Sequence, residues 1–233
     1  MTLPSFPDGY RALVIGASGG IGSALLDALA ADPRCGLALG LGRSSTPRLD
    51  LTDEASIEAA ARTVEALGPF QVIINAAGLL HTEQFMPEKK LGDLNHAQLL
   101  ATFQANTFGP ALVLRHFSGL LDRRRSVLAL LSAKVGSIGD NRIGGWYSYR
   151  ASKAALNMLV KTAAIELARR QPASVVLALH PGTVNTRLSQ PFRGGETGRP
   201  PADAAEQLLA VIDRAGPEAS GGFYAYTGEP LPW

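Results

Sequence analysis

The sequence predicts an α/β fold in which a doubly wound parallel sheet is covered by helices on both faces. Short apolar runs alternate with longer helical patterns along the chain, and such continuous apolar runs are typical of buried parallel strands. The 25 glycine and 15 proline residues concentrate just after these runs. Because the 233 residues contain no internal repeat or linker, we expect a single Rossmann-type domain over 1–233. Its ligand crevice would lie at the carboxyl ends of the strands.

Six short apolar runs predict the strands, at 12–15, 36–42, 70–75, 126–132, 174–180 and 223–226. The segments between them are predicted to be helical because apolar residues recur at helical spacing, as Ile21, Leu25 and Leu29 do before Asp32-Pro33 ends the first segment. Such patterns predict helices at 20–31, 52–67, 95–120, 146–170 and 201–213, the second of them beginning at Thr52.

Charge and cysteine content exclude several classes of protein. The chain has 22 lysines and arginines against 20 acidic residues, a net charge of +2 that is too small to attract nucleic acid. The one basic run, 123–125, is expected to be a solvated turn. The single cysteine, Cys35, excludes an internal disulfide framework, and the four histidines have no metal-ligand spacing.

No apolar run reaches the roughly 18 residues of a membrane span, and the N-terminal residues lack the layout of a signal peptide. We therefore expect a soluble, cytoplasmic protein with no metal site, no nucleic-acid partner and no membrane partner.

A glycine-rich turn joins the first predicted strand to the first predicted helix. Gly16 permits the tight turn, Gly20 lets a pyrophosphate approach the backbone, and Gly22 lets the helix pack closely on the sheet. The free N–H groups and positive dipole end of the helix suit phosphate. A tight turn without a ligand is the alternative. The predicted nucleotide-binding residues are Gly16, Ser18, Gly19, Gly20, Ile21 and Gly22.

The end of the second predicted strand indicates which dinucleotide binds. An NAD site usually has an acidic residue here for the ribose hydroxyls, whereas this strand ends in Leu41-Gly42-Arg43-Ser44. A guanidinium can pair bidentately with a 2′-phosphate. Arg43 therefore predicts a preference for NADP over NAD, and the alternative is a surface arginine in a turn.

Tyr149 and Lys153 lie four residues apart at the start of a predicted helix. Residues at this spacing share one helical face, so the phenol and the ammonium can converge on one ligand. A free tyrosine has a pKa of about 10, and proton transfer near pH 7 requires about 4 kcal/mol of phenolate stabilisation. A nearby lysine supplies part of it, although such a pair by itself is usually a surface coincidence.

Five motifs occur in an order that identifies a family: Gly16-x-x-x-Gly20-Ile21-Gly22, Asn75-Ala76-Ala77-Gly78, Asn106, Tyr149-x-x-x-Lys153 and Pro181-Gly182-x-Val184-x-Thr186. Together they resemble the short-chain dehydrogenase/reductase family from about residue 10 to residue 226. The stretch 140–153 is most similar to the C-factor-like branch of that family. The resemblance implies a cofactor-dependent oxidoreductase acting on CH–OH groups.

The resemblance assigns catalytic roles to three residues. Tyr149 would be the general acid when a carbonyl is reduced and the base in the reverse direction. Lys153 would hold the nicotinamide ribose and lower the pKa of the tyrosine. Asn106 would anchor a water that links Lys153 to solvent; without the family, an asparagine inside a helix indicates a local kink or an exposed position.

The resemblance also implies the remaining cofactor contacts. Asp50, followed by Leu51, would accept a hydrogen bond from the adenine amino group. The alternative for Asp50 is a helix cap, a role equally open to Thr52 or Asp53. The adenosine ribose and the nicotinamide would be lined by Asn75, Ala76, Ala77, Gly78, Pro181, Gly182, Val184 and Thr186.

The sequence departs from the family pattern at the substrate. The serine that normally bonds the substrate oxygen falls on Ala133, and losing one such hydrogen bond costs about 10²–10³ in rate. Either Ser132, expected on the other face of the strand, or Ser137 could stand in. The segment 43–50 is also too short for the helix that usually lies there.

We therefore predict an oxidoreductase that passes hydride from NADPH to a carbonyl compound, with a low-turnover nucleotide-binding signalling or regulatory protein of C-factor type as the alternative. The glycine-containing loop 187–200 is expected to form a short lid. Phe192, Trp146 and Phe85 are candidates for an aromatic pocket wall, with ordinary packing as the alternative. The apolar helices predict self-association as a homodimer or homotetramer.

Overall fold

The computed structural model describes residues 2–233 and contains six parallel strands in one sheet. Their spatial order is β2-β1-β3-β4-β5-β6, and every neighbouring pair is parallel. The predicted parallel α/β sheet is therefore confirmed. The strands are β1 Tyr10–Ile15, β2 Cys35–Leu41, β3 Val72–Asn75, β4 Ser126–Leu131, β5 Ser174–His180 and β6 Gly222–Ala225.

Helices cover both faces of the sheet, which is the doubly wound arrangement. One face packs against α1 and α7 through residues such as Leu25 and Leu208. The other packs against α2, α4 and α5 through Ile57, Val113 and Leu156. Each large apolar side chain buried in this way stabilises the fold by about 1.5–3 kcal/mol. The helices are α1 Gly20–Ala30, α2 Glu54–Glu65, α3 His96–Phe103, α4 Gly109–Phe117, α5 Tyr147–Arg170, α6 Gly194–Thr197 and α7 Pro201–Arg214.

The chain changes direction across the sheet at β1. Ile15 at the end of β1 is opposite Leu41 of β2 on one side and opposite Asn75 of β3 on the other. The connections that leave β1 and β3 run to opposite sides, so a crevice opens beyond their carboxyl ends. The glycine-rich turn after β1 and the segment after β3 form its two walls.

The second helix begins later than the sequence predicted. Helix α2 starts at Glu54, and its cap is Asp53, whose carboxylate accepts hydrogen bonds from the N–H groups of Ala55 and Ser56. The predicted start at Thr52 is therefore wrong by two residues. The loop from residue 43 to residue 50 contains no helix, as its length predicted.

The predicted continuous helix 95–120 is wrong in its middle. It begins as expected after Asn95, which caps α3, but a π-helical turn at Gln104–Phe108 separates α3 from α4. Such a turn winds an extra residue into the helix and often occurs at functional sites. Asn106 lies in this turn and is fully buried. The alternative of an exposed position is therefore wrong, and the local irregularity at Asn106 is a π-helical turn.

Polar groups at the amino ends of the strands are paired within the protein. Gln71, just before β3, donates to Asp122 Oδ2 at 2.8 Å and accepts from the Arg11 N–H at 2.7 Å. Asp32, before β2, accepts from the Leu3 N–H and from the Tyr10 hydroxyl, both at 2.9 Å. These networks tie neighbouring strands and the N-terminal segment together.

The expectation that residues 123–125 form a solvated turn is wrong for Arg125. Its guanidinium lies 4.7 Å from the centroid of the Phe6 ring, and it donates to the Ser5 hydroxyl and to the Asp213 carbonyl, both at 2.8 Å. Arg125 therefore anchors the N-terminal segment, while its two neighbours are exposed. Within residues 2–233, no helix has the length and apolar character needed to cross a bilayer.

Candidate active site

The glycine-rich turn after β1 closes tightly. Gly16 has a φ of 82°, and a Cβ at this position would lie 2.8 Å from the backbone nitrogen of Ala77. A Cβ on Gly22 would overlap the carbonyl oxygen of Gly16. Only glycine fits at both positions, in agreement with the turn and the close helix packing expected there. Ser18 is exposed in this turn, near Gly42.

The start of α1 is left without a cap. Gly19 provides no side chain to bond the first N–H groups, and the first turn contains no acidic residue. Ile21 is half-buried against the sheet. A Cβ on Gly20 would lie 2.7 Å from Thr186 Cγ2, so the segment after β5 packs directly over this helix start. Uncapped N–H groups and an uncancelled helix dipole are features that suit an anion.

Two arginines lie at the end of β2. Arg43 is exposed, and Arg48 pairs with Gly42 in an isolated bridge. Arg48 donates to Asp50 Oδ2 at 2.7 Å, and Thr52 donates to Oδ1 from both its N–H and its hydroxyl. Burial raises the pKa of Asp50, but the bonds from Thr52 and the charges of Arg48 and Arg43 outweigh burial and lower it. Asp50 is thus an ionised carboxylate that joins Arg48 to Thr52 in the loop after β2, and it does not cap α2.

The segment after β3 connects the glycine-rich turn to the region of α5. Asn75 is buried and accepts from the Ala77 N–H at 3.2 Å, while the Ala76 N–H donates to the Ile15 carbonyl at 2.8 Å. A Cβ on Gly78 would lie 3.6 Å from Lys153 Nζ. Because Ala76, Ala77 and Gly78 are small, this wall of the crevice carries no large side chain. Leu51, on the other hand, packs its backbone against Gly109 at the start of α4.

Asn106 joins two sides of the crevice. Its Oδ1 accepts from the Leu79 N–H and its Nδ2 donates to the Leu79 carbonyl, both at 2.7 Å. The same Nδ2 lies 3.2 Å from the Ser152 hydroxyl, and Thr107 donates to the Ser152 carbonyl at 2.9 Å. The π-helical turn therefore brings the amide to the loop after β3 and to α5, and both amide hydrogens are in use.

Lys153 is buried, with 3% of its surface exposed, and its ammonium donates to the Leu131 carbonyl at 2.9 Å. Burial lowers the pKa of Lys153 to about 8. The Nζ atom lies 5.9 Å from the centroid of the Tyr149 ring. The two side chains are therefore neighbours on one face of α5, as the four-residue spacing predicted.

Tyr149 is half-buried in the first turn of α5. Burial raises the pKa of Tyr149 to about 12. The protein therefore keeps the phenol protonated at neutral pH, and the lysine does not by itself overcome the effect of burial. A protonated phenol beside a buried ammonium is a proton donor whose conjugate base gains from the positive charge.

The turn after β5 is held from behind by an arginine. Gly182 has a φ of 74°, and Arg199 donates to the Pro181 carbonyl. The guanidinium stacks 3.6 Å from the centroid of the Tyr226 ring. Val184 is buried and pairs with the Arg199 backbone in an isolated bridge. The segment 181–186 is therefore fixed at both ends where it passes over the crevice.

His180, the last residue of β5, is kept neutral. Burial, together with the positive charges of Lys134 and Arg199, lowers its pKa to about 4. Its Nδ1 is buried and finds no hydrogen-bond partner among residues 2–233, and the same holds for Nδ2 of Asn157.

An aromatic group stands beside Tyr149. The Trp146 ring packs edge-on against Tyr149, with centroids 6.2 Å apart, and against Phe192, with centroids 4.9 Å apart. Phe192 in turn contacts His81 at 5.7 Å. Two of the three aromatic candidates are thus brought together; Phe85 makes no ring contact with them, and His81 was not predicted.

A family model for short chain dehydrogenases matches residues 10–197. The chain belongs to this family. The family resemblance expected from the five ordered motifs is therefore confirmed, and the chain is related to oxidoreductases.

Two curated relatives cover most of this short-chain dehydrogenase. A 1-hydroxy-2-glutathionyl-2-methyl-3-butene dehydrogenase of a Rhodococcus species (strain AD45) is 34% identical and covers 82% of this chain and 81% of its own. The C-signal protein of Myxococcus xanthus is 36% identical and covers 71% of this chain and 94% of its own, in line with the C-factor-like stretch.

Solved structures support the fold. The carbonyl reductase Sniffer of D. melanogaster aligns with a TM-score of 0.84 at 24% identity, over 98% of this chain and 100% of that one. A Burkholderia multivorans protein solved with bound NADP aligns with a TM-score of 0.79 at 25% identity, over 96% and 99% of the two chains.

The serine that short-chain dehydrogenases normally use is replaced by Ala133, and the two neighbouring serines are engaged elsewhere. Ser132 donates to Asn157 Oδ1 at 2.6 Å, on the α5 side of the sheet as expected. Ser137 is buried and accepts from the Asp140 N–H at 3.1 Å. The hydroxyl hydrogen of Ser132 is therefore in use, whereas the Ser137 hydroxyl is buried and serves as an acceptor.

Several residues of this short-chain dehydrogenase were missed by sequence reasoning. Arg199 holds the turn after β5, and Ser152 bonds Asn106. Arg150 donates hydrogen bonds to three main-chain carbonyl groups between β4 and α5. The carboxylate of the buried Glu88 accepts hydrogen bonds from Ser148 at the start of α5. Arg150 and Ser152 lie inside the Tyr149-x-x-x-Lys153 motif, which could have drawn attention to them. Glu88 lies in an irregular loop without a pattern.

Proposed function

We propose that this protein is an oxidoreductase that uses NADP(H) to interconvert a carbonyl compound, a ketone or an aldehyde, and the corresponding alcohol. One observation carries the proposal. Tyr149, Lys153 and Asn106 lie at the same end of the sheet as the uncapped start of α1, with the small residues 75–78 between them. A dinucleotide extends from an anion site to a reactive ring, and this crevice has matching features at its two ends.

The residues of the crevice fit such a cofactor. The uncapped start of α1 suits the pyrophosphate. Gly20 has no side chain here, and a Cβ at this position would clash with Thr186. Asn75, Ala76 and Ala77 would line the adenosine ribose, Lys153 would hold the nicotinamide ribose, and the segment 181–186 would hold the nicotinamide amide. These assignments follow the family resemblance and agree with the position of each segment.

When bound, the nicotinamide supplies a hydride to the carbonyl carbon. Tyr149 donates its hydroxyl proton to the carbonyl oxygen, so an alcohol forms and the tyrosine oxygen is left anionic. The raised pKa of Tyr149, about 12, keeps this proton in place until the oxygen becomes basic. Lys153 is largely cationic at pH 7, since its pKa is about 8, and its charge stabilises the phenolate. Tyr149 then recovers a proton through Lys153 and a solvent path beside Asn106.

The decisive experiment replaces Tyr149 by phenylalanine. We expect carbonyl reduction to fall by about 10²–10⁴-fold, the usual contribution of general acid catalysis, while the Kd for NADPH stays within about threefold. Tyr147→Phe, two residues earlier on α5, is the matched control and should retain activity. Full activity in Tyr149→Phe would end the proposal.

We further propose that NADP is preferred over NAD, with Arg43 as the first ligand of the 2′-phosphate and Arg48 beside it. Both side chains lie at the end of β2, where no carboxylate is free, because Asp50 is occupied by Arg48 and Thr52. The structural relative with bound NADP, at 25% identity, supports the same choice.

Fluorescence titration tests the preference. We expect Arg43→Leu to raise the Kd for NADPH by about 10–100-fold, since a charged hydrogen bond contributes about 1.5–3 kcal/mol, and to leave the Kd for NADH unchanged. Arg115→Leu removes an exposed arginine elsewhere and should change neither value. Tighter binding of NADH than NADPH to the wild type would contradict the preference.

A second function is favoured by one observation. Ala133 offers no hydroxyl to the substrate, and Ser132 and Ser137 are engaged, which suits a nucleotide-binding protein of low turnover with a regulatory role. A panel of aldehydes and ketones separates the two: NADPH binding without reduction of any of them would favour regulation. A single domain, a homodimer or homotetramer and a cytoplasmic location stay predictions.

A further inference from the structure

The chain enters α5 through three consecutive residues in the left-handed region. Gly144, Gly145 and Trp146 have φ values of 70°, 66° and 53°. Glycine adopts this conformation freely, but it is rare and costly for a tryptophan. Strained residues of this kind persist only where the surroundings force them, and they cluster at functional sites. The groups around Trp146 must therefore hold it in this conformation.

Glu88 holds the strained residue from one side. Its main-chain carbonyl accepts from the Trp146 N–H. Its carboxylate, 2% exposed, accepts from both the N–H and the hydroxyl of Ser148 in the first turn of α5. A buried carboxylate at a helix N-terminus is stabilised by the helix dipole. Glu88 thus fixes the backbone on both sides of Tyr147.

Arg150 holds the strained run from the other side. Its guanidinium donates to the carbonyl oxygens of Gly144 at 3.0 Å, Gly145 at 2.9 Å and Val135 at 3.1 Å. Because the guanidinium is planar, these three bonds fix its orientation as well as its distance. Two charged residues from different elements therefore impose one conformation on the turn before α5.

The imposed conformation places the Trp146 ring next to the phenol of Tyr149, with centroids 6.2 Å apart. The Trp146 ring also contacts Phe192, from the loop 187–200, with centroids 4.9 Å apart, and Phe192 contacts His81 at 5.7 Å. An apolar aromatic surface therefore adjoins the group that protonates the substrate oxygen. A substituent that extends from the carbonyl group towards Trp146 would contact this surface.

We propose that Trp146 is the specificity-determining residue for the reaction and selects carbonyl compounds whose substituent is flat and aromatic or conjugated. Glu88 and Arg150 are positioning residues that act through Trp146. The inference rests on the proposed function, because it assigns a substrate class to the same site. Aromatic pairs prefer edge-on and offset contacts with centroids 4.5–7 Å apart, and Trp146 already makes two such contacts. A flat aromatic substituent would form contacts of the same kind with the Trp146 ring, whereas a puckered ring of the same size would not.

The test compares benzaldehyde with cyclohexanecarbaldehyde, which are similar in size and differ in flatness. We expect the wild type to prefer benzaldehyde in kcat/KM and Trp146→Leu to reduce that preference about three- to tenfold, the range of an aromatic contact. Trp146→Phe should keep most of it. Trp233→Phe removes the other tryptophan and is the matched control. Equal losses for both aldehydes in Trp146→Leu, or no preference in the wild type, would overturn the inference.

The positioning role of Glu88 needs a measurement that general destabilisation would not move. Glu88→Gln should lower the preference for benzaldehyde when Trp146 is present and leave the preference unchanged in the Trp146→Leu background. An equal effect in both backgrounds would show that Glu88 does not act through Trp146. If the wild type binds NADPH but reduces neither aldehyde nor any other carbonyl compound, the proposed function itself fails; if it reduces both without preference, only this inference fails.

Discussion

The two ends of the parallel sheet differ in how they treat polar groups. At the amino end, the buried polar groups of Asp32 and Gln71 are fully paired with neighbours. At the carboxyl end, α1 has no cap, Lys153 is buried with a single carbonyl partner, and His180 Nδ1 has no partner within residues 2–233. The groups named at the amino end are paired, whereas these three features of the carboxyl end are incompletely satisfied.

The amino end of the sheet therefore contributes to stability, whereas the carboxyl end holds the groups proposed to act in function. A paired buried group contributes to folding, whereas an unpaired or desolvated one lowers stability unless a ligand completes it. The carboxyl end of this sheet therefore carries a cost that the rest of the molecule offsets. Substitutions at the two ends should have opposite consequences, and the following experiments test that contrast.

The largest effect is expected from Lys153→Met. Activity should fall by at least about 100-fold, because the group that stabilises the phenolate is lost. The free energy of unfolding at pH 7 should rise by about 1–3 kcal/mol, since a buried ammonium is removed. Chemical denaturation and steady-state kinetics measure the two. Lys161→Met, at an exposed position of the same helix, should change neither; a less stable Lys153→Met would contradict the contrast.

Asp32→Ala, at the amino end, should do the reverse. The free energy of unfolding should fall by about 3 kcal/mol, because the Leu3 N–H and the Tyr10 hydroxyl lose a buried partner. The Kd for NADPH and kcat should stay within about twofold of the wild type. Urea denaturation and the titration provide both values. Asp8→Ala serves as control, since its carboxylate is exposed; a large change in catalysis by Asp32→Ala would break the separation of the two ends.

Ala133→Ser should raise the catalytic efficiency of the site at the carboxyl end of the sheet. Restoring a donor at the substrate oxygen should raise kcat/KM by about tenfold or more, since such a donor contributes about 10²–10³ where it is optimally placed. Ser132→Ala and Ser137→Ala should each change kcat by less than about threefold. A large loss of kcat in either of them would mean that this serine already performs the missing role.

A dependence of stability on pH is also expected. Burial lowers the pKa of Lys153 from 10.5 to about 8, so between these values the unfolded chain binds more protons than the folded one. Stability should then rise with pH, by at most about 1.4 kcal/mol per unit. The raised pKa of Tyr149 opposes this above about pH 10. Comparing wild type with Lys153→Met from pH 7 to 9.5 isolates the lysine, and parallel curves would rule out the effect.

The order of elements and the position of the crevice could be predicted from the sequence, because buried parallel strands are continuous apolar runs and glycines follow them. Gly16 and Gly22 could be assigned specific roles, since a turn between strand and helix leaves few alternatives. The Tyr149–Lys153 pair followed from helical spacing. These features depend on neighbours within a few residues along the chain.

Features that depend on distant segments could not be predicted in the same way. Glu88 bonds Ser148 across 60 residues, and Arg125 meets Phe6 through the fold of the N-terminal segment. The start of α2 depended on a choice between adjacent capping residues, Thr52 and Asp53. The pKa of Tyr149 also depends on burial, which raises it and is not visible in a spacing.

The π-helical turn at Gln104–Phe108 has a consequence for how this chain tolerates change in length. Each residue of an α-helix advances the side chains by about 100°. Deleting one residue from the turn would restore a regular α-helix and rotate Asn106 out of register with Leu79 and Ser152. The shortened helix would have better backbone geometry, yet its amide would face the wrong neighbour. At this point a regular α-helix is incompatible with the hydrogen bonds that Asn106 makes to Leu79 and Ser152. A sequence chosen for helix formation alone would lack the extra residue of the π-helical turn.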